Sequence, residues 1–227
     1  MTDAQRLSAA DQARIAAAVQ AAEAQTSGEI VTIIAEQSDD YADVALWWSV
    51  AAALLALGLA SIIPEMILPR VDALTGRWAV DWTAHAVLEL GFVIAASKFA
   101  VCWLILLWRP ARLWLVPAPI RARRVRRRAV DCFKVGAERR TTGRTGILLY
   151  LSLAERRAEI VADAAIHSRV APEDWGKAMA DLVQPVRDGR IADGLVDAIG
   201  DVGVLLAQHL PRASDDVNEL PDRMIHL

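Results

Sequence analysis

Two Asp-Gly pairs, Asp188-Gly189 and Asp193-Gly194, stand five residues apart and have the most chemically suggestive spacing in the chain. Hard divalent ions take several oxygens, and Asp-Gly turns present carboxylates together with backbone carbonyls, so the two pairs could flank one ion-binding loop. The same residues serve equally well as the end of one helix and the cap of the next. Asp39, Asp40 and Asp43 follow the first predicted strand, where they either join the same end of the sheet or form a solvated acidic linker. His167 lies just beyond the last predicted strand, and packing or hydrogen bonding is its simpler use. Other catalytic patterns do not emerge. The Gly143 to Gly146 segment lacks the length and lysine of a phosphate-cradling loop, and Gly176-Lys177 is followed by Ala178 where a hydroxyl residue would hold magnesium. No nucleophile elbow and no pair of histidines at metalloprotease spacing occurs.

The elements that must position these residues include a membrane segment. The chain has 227 residues, 55% of them hydrophobic, and a mean hydropathy of +0.28, too apolar for a disordered chain. Residues 44–63 contain no charge and are closed by Pro64; residues 86–108 form a second apolar run, with Glu89 near its start and Lys98 near its middle. About 20 apolar residues span a hydrocarbon core of about 30 Å, so both runs read as crossings. An acidic, amphipathic segment precedes the first run, which argues against a cleavable signal peptide. A lysine at mid-bilayer costs roughly 2.5–3.5 kcal/mol, and Glu89 falls on the opposite helical face. The expectation is that Lys98 faces the first helix or an oligomer partner and that its long stem snorkels.

Charge then sets the topology. The net charge of −3 hides a segregation: residues 1–43 carry eight acids and two arginines, whereas residues 109–128 carry eight arginines and no acid. The loop between the crossings offers Arg70 and Arg77 alone. The positive-inside bias therefore predicts an inner (cytoplasmic) membrane hairpin with both termini in the cytoplasm, anchored at its ends by Trp47, Trp48, Trp78, Trp82, Trp108 and Trp114. The basic stretch Arg121 to Arg128 is expected to lie along anionic head groups. Nucleic acid is not an expected partner, because no stacking platform or DNA-binding motif accompanies the charge. Contact with an acidic partner or with the protein's own acidic face is a third reading. Cys102 and Cys132 read as small buried residues, with neither a disulfide framework nor a zinc cluster in prospect.

Outside the hairpin, Ser8 to Asp11 reads as a capped helix start, and Ile15, Val19 and Ala22 keep helical spacing up to the breaker Thr26-Ser27-Gly28. Residues 29–35, β-branched and apolar, read as a buried strand, which cannot stand alone with two unpaired edges. Its partners are predicted beyond the hairpin: a basic helix over 120–140, strands at 147–152 and 158–163 joined by a hairpin turn, and helices over 172–187 and 191–209. Residues 214–227 read as a polar, frayed tail. The reading is an α/β domain interrupted by a transmembrane hairpin. Residues 1–43 supply its first helix and strand, 44–108 the hairpin, 109–213 the Arg-rich helix and the remaining elements, and 214–227 the tail. An even number of crossings returns both flanks to one side of the bilayer, where they can pair.

The segment Thr145-Gly-Ile-Leu-Leu-Tyr-Leu-Ser-Leu-Ala-Glu-Arg-Arg-Ala-Glu-Ile-Val-Ala-Asp163, with Ile166-His167, Trp175 and Val186-Arg-Asp-Gly-Arg-Ile-Ala-Asp-Gly-Leu195, resembles the TPM domain family. Thr26-Ser-Gly-Glu-Ile-Val31 resembles the start of the same domain. That family includes thylakoid-lumen phosphatase-like proteins involved in photosystem II repair and many bacterial membrane-attached proteins. The resemblance implies a helix-sheet-helix sandwich and an acidic surface site that in some members binds calcium or another divalent ion, with acid-phosphatase-like activity in a few. On this resemblance the family's acidic pattern falls on Asp163, Asp188 and Asp193, which would hold a divalent cation such as calcium or magnesium. The membrane hairpin and the Arg-rich helix depart from the common pattern. The expected function is a membrane-anchored, TPM-like cytoplasmic binding or assembly module with an unidentified protein partner. The alternative is a divalent-metal-dependent phosphatase whose metal polarises a phosphoryl oxygen.

Overall fold

A computed structural model describes residues 7–76, 82–136, 145–171, 173–212 and 224–226. The chain divides into two compact units, Met1–Asp39 with Ala118–Leu227, and Asp40–Pro117. The boundaries thus fall a few residues earlier than expected on the first flank, and later on the second, where residues 109–117 belong with the apolar helices.

The first unit begins with α1 (Ala9–Glu23), opened by a capping box in which the Ser8 hydroxyl accepts the Asp11 N–H at 3.1 Å and the Asp11 carboxylate accepts from Ser8 in return. Strand β1 (Glu29–Ala35) follows, then, past the second unit, α6 (Ala118–Gly136), β2 (Gly146–Ser152), β3 (Arg157–Ala162), the short α7 (Ala164–His167), α8 (Trp175–Arg187), α9 (Ile191–His209) and β4 (Ile225–His226). The sheet order is β3-β2-β1-β4. β1 runs parallel to β2 from Glu29↔Gly146 to Ala35↔Ser152, and β2 pairs antiparallel with β3. Strands separated by more than a hundred residues therefore share one sheet, as the unpaired edges of an isolated β1 require. β4 pairs parallel with β1 at Ile33↔Ile225 and Ile34↔His226. Part of the expected frayed tail is thus a strand, because β1 would otherwise leave one edge open. Residues 213–223, 137–144 and Pro172 lie outside the described residues, and with them the predicted ends of three segments.

Every residue of β1 and β2 is buried, so the sheet is covered on both faces. On one face, Ile30, Ile34, Ile147, Leu149 and Leu151 pack with α1, α8 and α9. On the other, Val31, Ile33, Leu148 and Tyr150 receive Val125, Ala129 and Phe133 of α6. Those α6 residues recur at intervals of four, so one stripe seats the helix and its arginines are left on the remaining faces. Cys132 is half-buried beside this stripe and Cys102 half-buried in the other unit, both free thiols less enclosed than expected.

The second unit holds α2 (Ala42–Ile62), α3 (Pro64–Thr75), α4 (Ala84–Leu106) and α5 (Arg109–Leu115). α2 and α4 are long and apolar enough to cross a membrane. They pack closely on each other, with Gly91 facing Leu57. Their remaining faces are bare: Leu54, Leu55, Leu88 and Phe92 are 64–74% exposed, which suits hydrocarbon and not water. Trp82 donates to Asp72 at 3.3 Å, while Trp47, Trp108 and Trp114 are exposed near helix ends; Trp78 and Arg77 lie outside the described residues. Lys98 is exposed; seven residues beyond Gly91, it falls within about 20° of the helical face on which Gly91 meets Leu57 of α2. Glu89 pairs with His85 at 3.1 Å, one helical turn away.

Candidate functional site

The three acidic residues singled out by sequence take separate positions. Asp163 follows β3 as the N-cap of α7; it is 5% exposed and accepts the Gly146 N–H at 3.1 Å, fastening the start of β2. Asp188 caps the C-terminus of α8 and Asp193 lies in the first turn of α9. Arg190 lies between them, 3.3 Å from Asp188 and 3.6 Å from Asp193, and Arg14 of α1 bonds the other oxygen of Asp193 at 2.9 Å. A guanidinium thus stands where an ion between the two Asp-Gly turns would need to be. Among the described residues, no three of His, Cys, Asp and Glu converge as a metal-ligating group. His167 is exposed on α7.

The hydrogen bond from Arg14 holds the Asp193 carboxyl below the ordinary carboxylate range, and the Arg190 charge acts in the same direction. Stabilisation from this α1–α9 pair is therefore complete above the ordinary carboxylate range and fades as pH falls through that lower value. Lys177 of α8 similarly bonds Asp181 at 3.0 Å and Asp201 of α9.

A denser polar group, not foreseen from the sequence, gathers at the carboxyl ends of β1 and β2, where open α/β sheets commonly place their sites. The β2–β3 turn is bonded to the exit of β1: Leu153 N–H donates to Ala35 and Ala154 N–H to Glu36, each at 3.0 Å. Arg156 adopts a left-handed φ of 51° to close it. The turn drives Glu155 inward, 4% exposed, where its carboxylate accepts the Ser38 N–H at 3.1 and 3.3 Å and the Ser152 hydroxyl. The Ser38 hydroxyl lies 2.9 Å from that of Ser152 and 3.0 Å from the Tyr150 phenol. Burial pushes the Tyr150 phenol up, against the opposing hydrogen bond with Ser38, so it stays protonated and able to donate.

Beside this network, on the α6 face, opens a recess of about 410 Å³ lined by Ser38, Asp39, Arg124, Arg127, Arg128 and Asp131. Positions 124, 127, 128 and 131 share one helical face. Arg124 bonds Asp39 at 2.7 Å and Arg126 bonds Glu159 of β3 at 3.0 Å. Contact of the basic helix with the protein's own acids, the third of the sequence readings, is therefore present for two arginines. Arg123, Arg127 and Arg128 are exposed and have no ion pair among the described residues. Burial also pushes the Cys132 thiol up, partly offset by Arg128.

No family model matches the chain, and no curated protein matches it. Among solved structures, it resembles the NMR structure of the BA42 protein from the psychrophilic bacterium Bizionia argentinensis, with a TM-score of 0.56 and 19% identity over 97% of this chain and 94% of the other. At that identity the likeness is one of fold.

Proposed function

We propose that the chain is a two-pass inner-membrane protein whose TPM-like α/β unit works in the cytoplasm as a binding or assembly module, docked on anionic head groups through α6. The observation that carries this reading is the division of labour among the α6 arginines. Arg124 and Arg126 are held by the unit's own acids, while Arg123, Arg127 and Arg128 remain exposed on a helix already seated by Val125, Ala129 and Phe133. Connectivity adds support: β1 leads directly into the first apolar helix and α6 is the segment by which the chain returns to the sheet. The excess of arginine on that return segment favours the cytoplasmic side. Binding without turnover is supported by the polar network at the sheet end, whose Ser38, Ser152 and Glu155 are engaged with one another.

Three arginines near an anionic surface contribute about 1 kcal/mol each, together roughly a hundredfold in the docked population. The full chain in nanodiscs containing a gadolinium-chelating lipid should show paramagnetic broadening of α6 amide signals with phosphatidylglycerol and much less with phosphatidylcholine. R123Q/R127Q/R128Q should abolish the difference, as should about 1 M salt, where the Debye length is ~3 Å. Equal broadening in both lipids, or broadening insensitive to the triple variant, contradicts the reading.

A further inference from the structure

The recess beside α6 carries charges of both signs that the protein leaves unmatched. Its placement follows from the helical turn of about 100° per residue. With Val125, Ala129 and Phe133 seated on the sheet, Arg124, Arg128 and Asp131 turn to one flank of α6, Arg127 to the outer rim of that flank, and Arg126 to the other flank. The bonds agree: Arg126 reaches Glu159 of β3, and Arg124 reaches Asp39 just beyond β1, on the opposite side of β2. The Arg128 charge acts on the Tyr150 phenol and on the Cys132 thiol, which brings its guanidinium toward the sheet end where Ser38 bonds Tyr150. Arg124 and Asp39 answer each other. Arg127, Arg128 and Asp131 are exposed, line the same recess of about 410 Å³, and make no ion pair among the described residues, although Asp131 stands three and four positions from the two arginines.

An inorganic anion would answer the arginines and leave Asp131 facing its charge; a metal ion would answer Asp131 and be repelled by the arginines. A ligand carrying a phosphate and a protonated amine a short distance apart answers all three. Side chains three and four residues apart on a helix have Cβ atoms about 5–6 Å apart, a span that a two-carbon link between phosphate and amine can bridge. Guanidiniums suit the phosphate oxygens, and a primary ammonium donates to a carboxylate, whereas a choline nitrogen has no N–H to give. We propose that this recess binds the head group of an ethanolamine phospholipid, with the phosphodiester on Arg127 and Arg128 and the primary ammonium on the Asp131 carboxylate. The proposal rests on the reading that α6 lies at the membrane surface, and it adds a choice between lipids of equal net charge, which attraction to an anionic surface cannot make.

Carbodiimide treatment of the full chain in nanodiscs tests it, because the reagent joins a carboxyl to a primary amine held against it as an amide, the urea leaving. In mixed phosphatidylcholine–phosphatidylethanolamine nanodiscs, where both lipids are uncharged overall, peptide mass spectrometry should find a lipid adduct on Asp131. R127Q/R128Q should lower that adduct by roughly tenfold or more, D131E should retain an adduct at position 131, and R187Q, at the end of α8 on the other side of the sheet, should leave the Asp131 adduct unchanged. Arg127 and Arg128 are exposed, so an unchanged melting temperature of the double variant separates loss of the site from loss of the fold. Dissolved glycerophosphoethanolamine, added at the same amine concentration to phosphatidylcholine nanodiscs, should give at least roughly tenfold less adduct, because a bilayer holds its head groups at high effective concentration beside α6. No adduct on Asp131, an adduct insensitive to R127Q/R128Q, or a dissolved head group that matches the lipid would each overturn the proposal. Absence of the adduct in a parent protein that keeps its phosphatidylglycerol-dependent broadening removes the recess and leaves the docking of α6; absence of both removes the docking as well.

Discussion

Gly203→Val is expected to destabilise the α/β unit by about 3 kcal/mol, lowering its melting temperature by roughly 10 °C. Gly203 lies in α9 where that helix crosses α1, and a Cβ built there falls 2.7 Å from the Ala22 Cβ and 3.2 Å from its Cα. Neither atom can rotate away, so the helices must separate, and the contacts of Ile15 and Val19 with the sheet loosen. Gly200, in the same helix, faces open space; Gly200→Ala should raise stability by roughly 0.5–1 kcal/mol through helix propensity alone. Calorimetry of the two variants separates close packing from backbone entropy, and a Gly203→Val protein as stable as the parent would show that α1 and α9 do not meet there.

Glu155→Ala should cost about 3 kcal/mol as well, for an electrostatic reason. Removal of the carboxylate strips the Ser38 N–H and the Ser152 hydroxyl of their charged acceptor inside a buried site, and donors left unsatisfied lose their full desolvation energy. The damage should be local before it is global, because Ser38 lies in the short connection between β1 and the first apolar helix. Amide exchange at Ser38 should accelerate most, and Glu155→Gln, which keeps one carbonyl acceptor, should restore part of the protection. Exchange at Ser38 that is unchanged in Glu155→Ala would contradict the assigned role.

Much of this architecture could be read from residue pattern. Residues 29–35 and 147–152 are continuous β-branched and apolar runs, and a strand covered on both faces reads that way. The Ser8–Asp11 capping box and the bounds of α9 also matched expectation, since cap chemistry and helical periodicity are local signals. The membership of β1 and β2 in one sheet followed from an even number of crossings together with the need to pair an isolated strand. Non-local features were harder. Ile225 and His226 form a strand of two residues, too short to carry a pattern, and exist as a strand because β1 has an edge to fill. Glu155 lies in the segment read as a hairpin turn, and nothing in its neighbourhood reveals that the turn folds back onto Ser38.

The candidate site was legible in residue types and not in their partners. Asp163, Asp188 and Asp193 are where strand ends and Asp-Gly turns put them, yet Gly146, Arg190 and Arg14 claim them through contacts that follow from the layering of the sheet between helices. Asp39, read either as part of the sheet end or as a solvated linker, pairs with Arg124, which was visible as charge and invisible as a neighbour. The spacing 124, 127, 128 and 131 could have identified one polar face of α6, but its opposition to Ser38 depends on which sheet face the helix covers.

The pairing of the two flanks of the apolar helices in one parallel register is the claim on which the sheet end, the α6 recess and the proposed module rest. Methyl-methyl nuclear Overhauser effects in selectively Ile- and Leu-labelled full-length protein measure it directly. The register Ile30↔Ile147 and Ile34↔Leu151, with neighbouring strands about 4.8 Å apart, predicts strong cross-peaks for both pairs on the face shared with α1, α8 and α9. Absence of both, in a folded sample whose Leu149 and Ile160 methyls still report the β2–β3 pairing, would contradict it.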